Sequence, residues 1–133
     1  YYDDYAHHPT EICELLRSIK TVYKSKKIIS VFQPHRISRV NYLKHRFTKC
    51  FEFSDRVLLC PIYKAGENLK LKFDYFRFAK EIIRNSKVEL IMINNERELA
   101  KYVKNNIYRD NIVIGMGAGT ISNWMRNLPK LIK

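Results

Sequence analysis

Short runs of aliphatic and β-branched residues alternate along the chain with stretches whose apolar residues fall three and four apart. This alternation narrows the available folds more than any other feature. Ile28-Ile29-Ser30-Val31-Phe32, Val57-Leu58-Leu59-Cys60, Val88 to Ile93 and Ile112-Val113-Ile114 each read as a short buried strand. Ile12, Leu15, Leu16, Ile19 and Tyr23 line one face of a helix that opens at Pro9, a residue suited to the first turn. A second helix is expected to carry Val40, Leu43, Phe47 and Phe51 inward. After a loop from Tyr63 to Lys72, Asp74 caps a third, presenting Phe78, Ala79, Ile82 and Ile83. Asn95 and Glu98 have the spacing of a capping-box variant opening a fourth, with Leu99 and Val103 inward. Gly115 to Gly119 turns into a last helix from Thr120, which Pro129 is expected to end or kink. Strand alternating with helix predicts an α/β fold: a Rossmann-like, open, mostly parallel sheet with helices on both faces. Tyr1 to Tyr5 run directly into the first helix and read as the end of another strand, one beginning upstream in a longer chain.

The 133 residues predict a single domain spanning 1–133, long enough for a continuous core, with no repeat or linker dividing it. Lys and Arg number 25 against 13 Asp and Glu, a net charge of +12, which attracts anions without saying which. At 46% hydrophobic residues with four Gly and four Pro, global disorder is excluded. Cys13, Cys50 and Cys60 are odd in number and widely spaced, which supports neither a disulfide scaffold nor a cysteine zinc site and suits a reducing, cytoplasmic compartment. No apolar run approaches the roughly 20 residues that cross a bilayer. A GxxxxGK[ST] phosphate loop is absent, so ATP chemistry would require groups from elsewhere.

Position is the most informative signal. Asp4-Tyr5-Ala6-His7-His8, Gln33-Pro34-His35-Arg36, Tyr63-Lys64-Ala65-Gly66-Glu67, Asn94-Asn95 and Gly115 to Gly119 all follow strands. In an open parallel sheet those segments share one edge, where ligands bind. Arg36 and Arg39 stand at a helix start, where cations oppose the dipole and call for an anion, and paired guanidinium groups suit a carboxylate or phosphate. Adjacent His7 and His8 cannot face one metal as an i, i+4 pair would, so no metal site is expected. The Asp3-Asp4 pair fits either strand-end capping or a ribose or metal contact. The GxGxG run is a weak dinucleotide signal and reads first as a tight turn. The other basic residues are spread over several helices, unlike a nucleic-acid footprint, although a basic nucleic-acid-binding module and a small-molecule transferase are the competing readings.

These segments together, Asp3 to Glu11, Val31 to Arg39, Tyr63 to Glu67 and Gly117 to Ile121, resemble the C-terminal domain of the bacterial Mur ligases over essentially the whole chain. Within that family the Gln33 to Arg39 segment favours the branch that adds L-alanine over the murein-tripeptide recycling branch, which lacks it. The diaminopimelate- or lysine-adding branch differs in its DYAHTP segment. The resemblance implies an ATP- and Mg2+-dependent amide ligation in bacterial peptidoglycan synthesis. The lactyl carboxylate of UDP-N-acetylmuramate becomes an acyl phosphate, is attacked by the amine of L-alanine, and a tetrahedral intermediate expels phosphate. It implies that the UDP-sugar and central ATPase domains lie outside this chain, which alone would be inactive. By the same resemblance Asp4 lies at the nucleotide side and Tyr5 and His7 lie near the alanine. His35, Arg36 and Arg39 serve the alanine carboxylate and the phosphate region. Ile37, where the family often has Tyr, removes any aromatic contact at that point, and Ala6 replaces a frequent Gly.

Overall fold

The computed structural model describes residues 1–67, 70 and 72–133. Five parallel strands, β1 (Tyr2–Asp4), β2 (Lys27–Phe32), β3 (Arg56–Leu59), β4 (Glu89–Met92) and β5 (Asn111–Met116), lie in the order β1-β5-β2-β3-β4. The helices are α1 (Pro9–Val22), α2 (Ile37–Tyr42), α3 (Lys44–Phe47), α4 (Tyr75–Ser86), α5 (Glu96–Asn106) and α6 (Ile121–Leu131). The expected open α/β sheet is therefore present, and the Tyr1 to Tyr5 segment supplies its edge strand β1.

Alternation along each strand divides the apolar residues between two cores. Ile28, Phe32, Val57, Leu59, Ile112, Ile114 and Met116 face α1, α2, α3 and α4 through Ile12, Leu16, Val40, Phe47, Phe78 and Ile82. Ile29, Val31, Leu58 and Val113 face α5 and α6 through Leu99, Val103, Ile121, Met125 and Leu128. Helices thus cover both faces, which is why the strands read as unbroken apolar runs.

The register sets up the functional edge. Asp4 pairs with Met116, Met116 with Phe32, Phe32 with Leu59 and Leu59 with Met92, so all five strands end on one row. Everything beyond that row belongs to the carboxyl edge, where β2 and β5 sit side by side although their connections run in opposite directions across the sheet. This is the topological switch point of the sheet.

Four local expectations are corrected. The helix expected to carry Val40 through Phe51 is two short helices hinged at Leu43 (φ −104°, ψ 15°), which ends α2 and starts α3. Val40, Phe47 and Phe51 are nonetheless fully buried, because both pieces keep the same inward face. Gly115 is no part of a turn: it lies inside β5, paired with Asp3 and Val31, and a Cβ there would meet Met125 Cγ at 2.3 Å. Helix α6 runs through Pro129 to Leu131, since a proline so near the C-terminus forfeits only one intrahelical bond, to the Met125 carbonyl. The Asn95 cap is one-sided: its Oδ1 accepts the Glu98 N–H at 2.9 Å, while the Glu98 carboxylate takes the Asn94 N–H at 2.8 Å instead of closing the box. Of the loop expected over Tyr63 to Lys72, residues 68, 69 and 71 lie outside the described residues.

Candidate functional site

Each loop leaving the common row places its side chains through local bonds. Asp4 Oδ1 accepts the Ala6 N–H at 2.8 Å, turning the chain after β1, while Asp3 Oδ2 accepts the Ser122 hydroxyl at 2.5 Å and ties β1 to α6. His8 becomes the N-cap of α1: its Nδ1 accepts the Thr10 N–H at 3.2 Å, and Glu11 answers by accepting the His8 N–H at 3.1 Å. The two adjacent histidines therefore part company. The His7 Nδ1 lies 2.9 Å from the Tyr5 carbonyl, which can only accept, so Nδ1 holds a proton and, in the singly protonated ring, Nε2 is the acceptor.

The ring of His7 lies edge-on to that of His35, centroids 5.6 Å apart, and to Tyr5 at 5.2 Å; His35 in turn stacks on Tyr63 at 5.5 Å. Tyr5, His7, His35 and Tyr63 thus form a continuous row of rings across the ends of β1, β2 and β3. Glycine at 119 makes room for the end of this row, because a Cβ there would fall 2.5 Å from Tyr63 Cγ.

Burial and the neighbouring Arg39, His7 and Arg36 hold the His35 imidazole below its ordinary range, so it is neutral near pH 7. Its Nδ1 is buried without a hydrogen-bond partner, and so is Nη1 of Arg39. Arg39 Nη1 can only donate, whereas His35 Nδ1 donates or accepts according to its tautomer, so this corner holds two polar atoms without a partner in the domain. Arg36 and Arg39 line the same shallow depression with Ser38, Tyr42 and Leu43, as their three-residue spacing suggested.

The start of α2 already has an anion, Glu67, whose two carboxylate oxygens lie 3.4 Å from the Ser38 nitrogen, which also accepts from the Ser38 hydroxyl, and which stands 3.9 Å from Arg36 Nε. Part of the cost of placing cations there is met inside the chain. Gln33, Ser38, Tyr63 and Glu67 lie in segments that the sequence brings to this edge, but the sequence alone gives their side chains no role there. For Glu67 the legible signal is Gly66, which with Ala65 takes a positive φ (78° and 53°) and turns Glu67 back toward α2.

The opposite edge carries charged residues of its own. A depression of about 430 Å3 is lined there by Lys27, Asp55, Arg56, Lys87, Glu89 and Asp110 among others. Much of its charge is already committed, with Arg56 2.9 Å from Glu89 and Asp55 accepting the Ile28 N–H at 2.8 Å.

Residues 1–119 match the family described as Mur ligase, glutamate ligase domain. The chain belongs to this family. It is 57% identical over 132 residues to the UDP-N-acetylmuramate–L-alanine ligase of Pelagibacter ubique, covering 99% of this chain and 28% of that protein. The enzyme of the same name from Fusobacterium nucleatum is 42% identical over 120 residues, 90% of this chain and 25% of that one. Among solved structures, the UDP-N-acetylmuramate-alanine ligase of Thermotoga maritima superposes with a TM-score of 0.71 at 26% identity, over 96% of this chain and 25% of its own. A domain of a Haemophilus ducreyi protein shares the fold at TM-score 0.69 and 18% identity, and there the match spans 89% of the solved chain. The chain thus spans about a quarter of the length of the curated relatives it matches.

Proposed function

We propose that this domain closes the active site of an ATP-dependent ligase that joins L-alanine to UDP-N-acetylmuramate. The observation that carries the reading is the corner formed by the orphaned His35 Nδ1 and Arg39 Nη1 beside the half-exposed Arg36 at the carboxyl edge. The similarity to ligases bearing that name supports the choice of substrates.

In this account Arg36 and Arg39 take the carboxylate of the incoming alanine and face the phosphate region, and neutral His35 donates or accepts one hydrogen bond without adding charge. Tyr5 and His7 flank the amino acid, with His7 Nε2 offered as an acceptor. Asp4 lies toward the nucleotide, although one of its oxygens already serves the Ala6 N–H. The acyl phosphate and the tetrahedral intermediate are anionic, so cations fixed on a rigid edge stabilise charge as it develops and hold the amine in line. ATP would supply the phosphoryl group. Among the described residues no group of three or more His, Cys, Asp or Glu is arranged to hold a metal ion. In this reading Mg2+ accompanies ATP on the phosphate-loop domain. In this reading the UDP-sugar domain and the phosphate-loop domain belong to the same polypeptide, and the enzyme works in the cytoplasm, where ATP is available. Among the described residues no helix is long and apolar enough to cross a membrane.

The test is ADP release by the complete ligase polypeptide carrying this domain, assayed with ATP, UDP-N-acetylmuramate and a panel of amino acids and murein peptides. Release that requires L-alanine supports the reading. Release with a murein tripeptide in its place assigns the recycling reaction instead, and salt-sensitive retention on nucleic acid without ADP release overturns the ligase account.

A further inference from the structure

The segment Tyr63 to Glu67 stands out because its residues bond almost entirely to the loop that carries Arg36. Tyr63 N–H donates to the Pro34 carbonyl at 2.8 Å, Arg36 N–H donates to the Tyr63 carbonyl at 2.7 Å, and His35 pairs with Tyr63 as an isolated parallel bridge. The chain then turns through Ala65 and Gly66 and sends Glu67 back to Ser38 and Arg36, its side chain only 6% exposed. Arg36 itself holds φ at 67°, a conformation that costs an L-residue of order 1–3 kcal/mol unless its surroundings fix it. The side chain, 48% exposed, has its Nε toward Glu67 and no hydrogen bond from either Nη among the described residues.

We propose that Glu67 is a positioning residue for Arg36: by holding Ser38 and the Nε side of the guanidinium, it presents the Nη pair to the carboxylate of the incoming amino acid. This rests on the ligase reading above. An anion beside Arg36 also weakens the field felt by a second anion, so the two effects oppose each other. Ordering prevails if the arginine otherwise samples many rotamers, because a misplaced fork loses both of its parallel hydrogen bonds. Ser38 hydrogen bonding, with Arg36 nearby, keeps the Glu67 carboxyl below its ordinary range and therefore ionised throughout the neutral region.

The experiment is a double-substitution cycle in the complete ligase, read as KM for L-alanine and kcat. Glu67→Gln keeps the shape and an oxygen for Ser38 but removes the charge. It is expected to raise KM for alanine about ten-fold with a smaller change in kcat. Glu67→Asp should recover part of the loss. In an Arg36→Ala background the same Glu67→Gln change should have almost no further effect, since the two residues act as one unit. The proposal is overturned by a Glu67→Gln enzyme that binds alanine as well as or better than the parent, or by effects that add in the double variant. If Glu67→Gln lowers the melting temperature, Ser38→Ala provides the control: a matching stability loss with no rise in KM leaves the KM effect of Glu67→Gln to the positioning of Arg36, whereas a matching stability loss with a matching rise in KM assigns Glu67 a purely structural role. Arg36→Ala alone leaving KM unchanged refutes the ligase reading, whereas a large Arg36→Ala effect with a silent Glu67→Gln refutes only this inference.

Discussion

Gln33 bridges β2 and α6: its Oε1 accepts the Ile121 N–H at 3.0 Å and its Nε2 donates to Thr120 Oγ1 at 2.9 Å. Thr120 makes no side-chain cap of its own, so a residue 88 positions away caps the helix that leaves the switch point. Gly117 lets this happen, its φ of 155° and missing Cβ leaving space for the Gln33 backbone oxygen, which a Cβ would approach to 3.0 Å.

Replacing Gln33 with Ala leaves the Ile121 N–H buried and unpaired. A loss of about 1–3 kcal/mol is expected, read by urea denaturation of the domain. A stability equal to the parent would mean that the cap is dispensable.

Gly119→Ala drives a methyl group into the Tyr63 ring and within 2.8 Å of Gln33 Oε1. Moving Tyr63 also removes the ring that stacks on His35. The expected outcome is a destabilisation of about 1–3 kcal/mol together with weaker alanine binding. Tyr63→Ala, which removes the Cγ that the methyl group would meet first, should relieve part of the stability loss in the double variant.

The adjacent histidines should behave differently. His8→Ala removes an N-cap and is expected to cost about 1 kcal/mol with unchanged KM for alanine, and His8→Asp should restore the cap. His7→Ala removes a ring from the row and an acceptor from the site, and should raise KM with little change in stability. Reversed phenotypes would exchange the roles assigned to them.

Two kinds of titration shape the stability of the domain against pH. His35 resists protonation in the folded state, chiefly because it is buried, while the unfolded chain takes up that proton near the ordinary value of 6.5. Between the two values the unfolded state binds more protons, so stability falls as pH drops below 6.5. Glu11 and Glu67 are lowered by their hydrogen bonds with His8 and Ser38, and their contributions, present above 4.5, fade as pH drops further. His35→Gln is expected to flatten the first decline in melting temperature and leave the second in place.

How much of this was legible in the sequence depended on the range of the interaction concerned. Strand periodicity, the Asp74 cap, the Pro9 start and the gathering of His7, His35, Arg36 and Arg39 at one edge are set by residues close in sequence or by the rule that parallel strands end together. The break at Leu43 was hidden because both short helices bury the same apolar stripe. Gly115 looked like a turn because a glycine in a central strand signals itself only through what packs on it, here Met125. The partnership of Glu67 with Arg36 and Ser38, and that of Gln33 with Ile121, join residues about 30 to 90 positions apart, and pairing at that range emerges only once the sheet order is known.

The central claim is that the carboxyl edge of this sheet receives the amino-acid carboxylate through Arg36 and Arg39. It is tested most directly by alanine-dependent ADP release from the complete ligase carrying Arg36→Ala, with circular dichroism to follow the fold. The account expects release to fall by about a hundred-fold while the fold and melting temperature stay close to those of the parent. Alanine kinetics unchanged in that variant would contradict it.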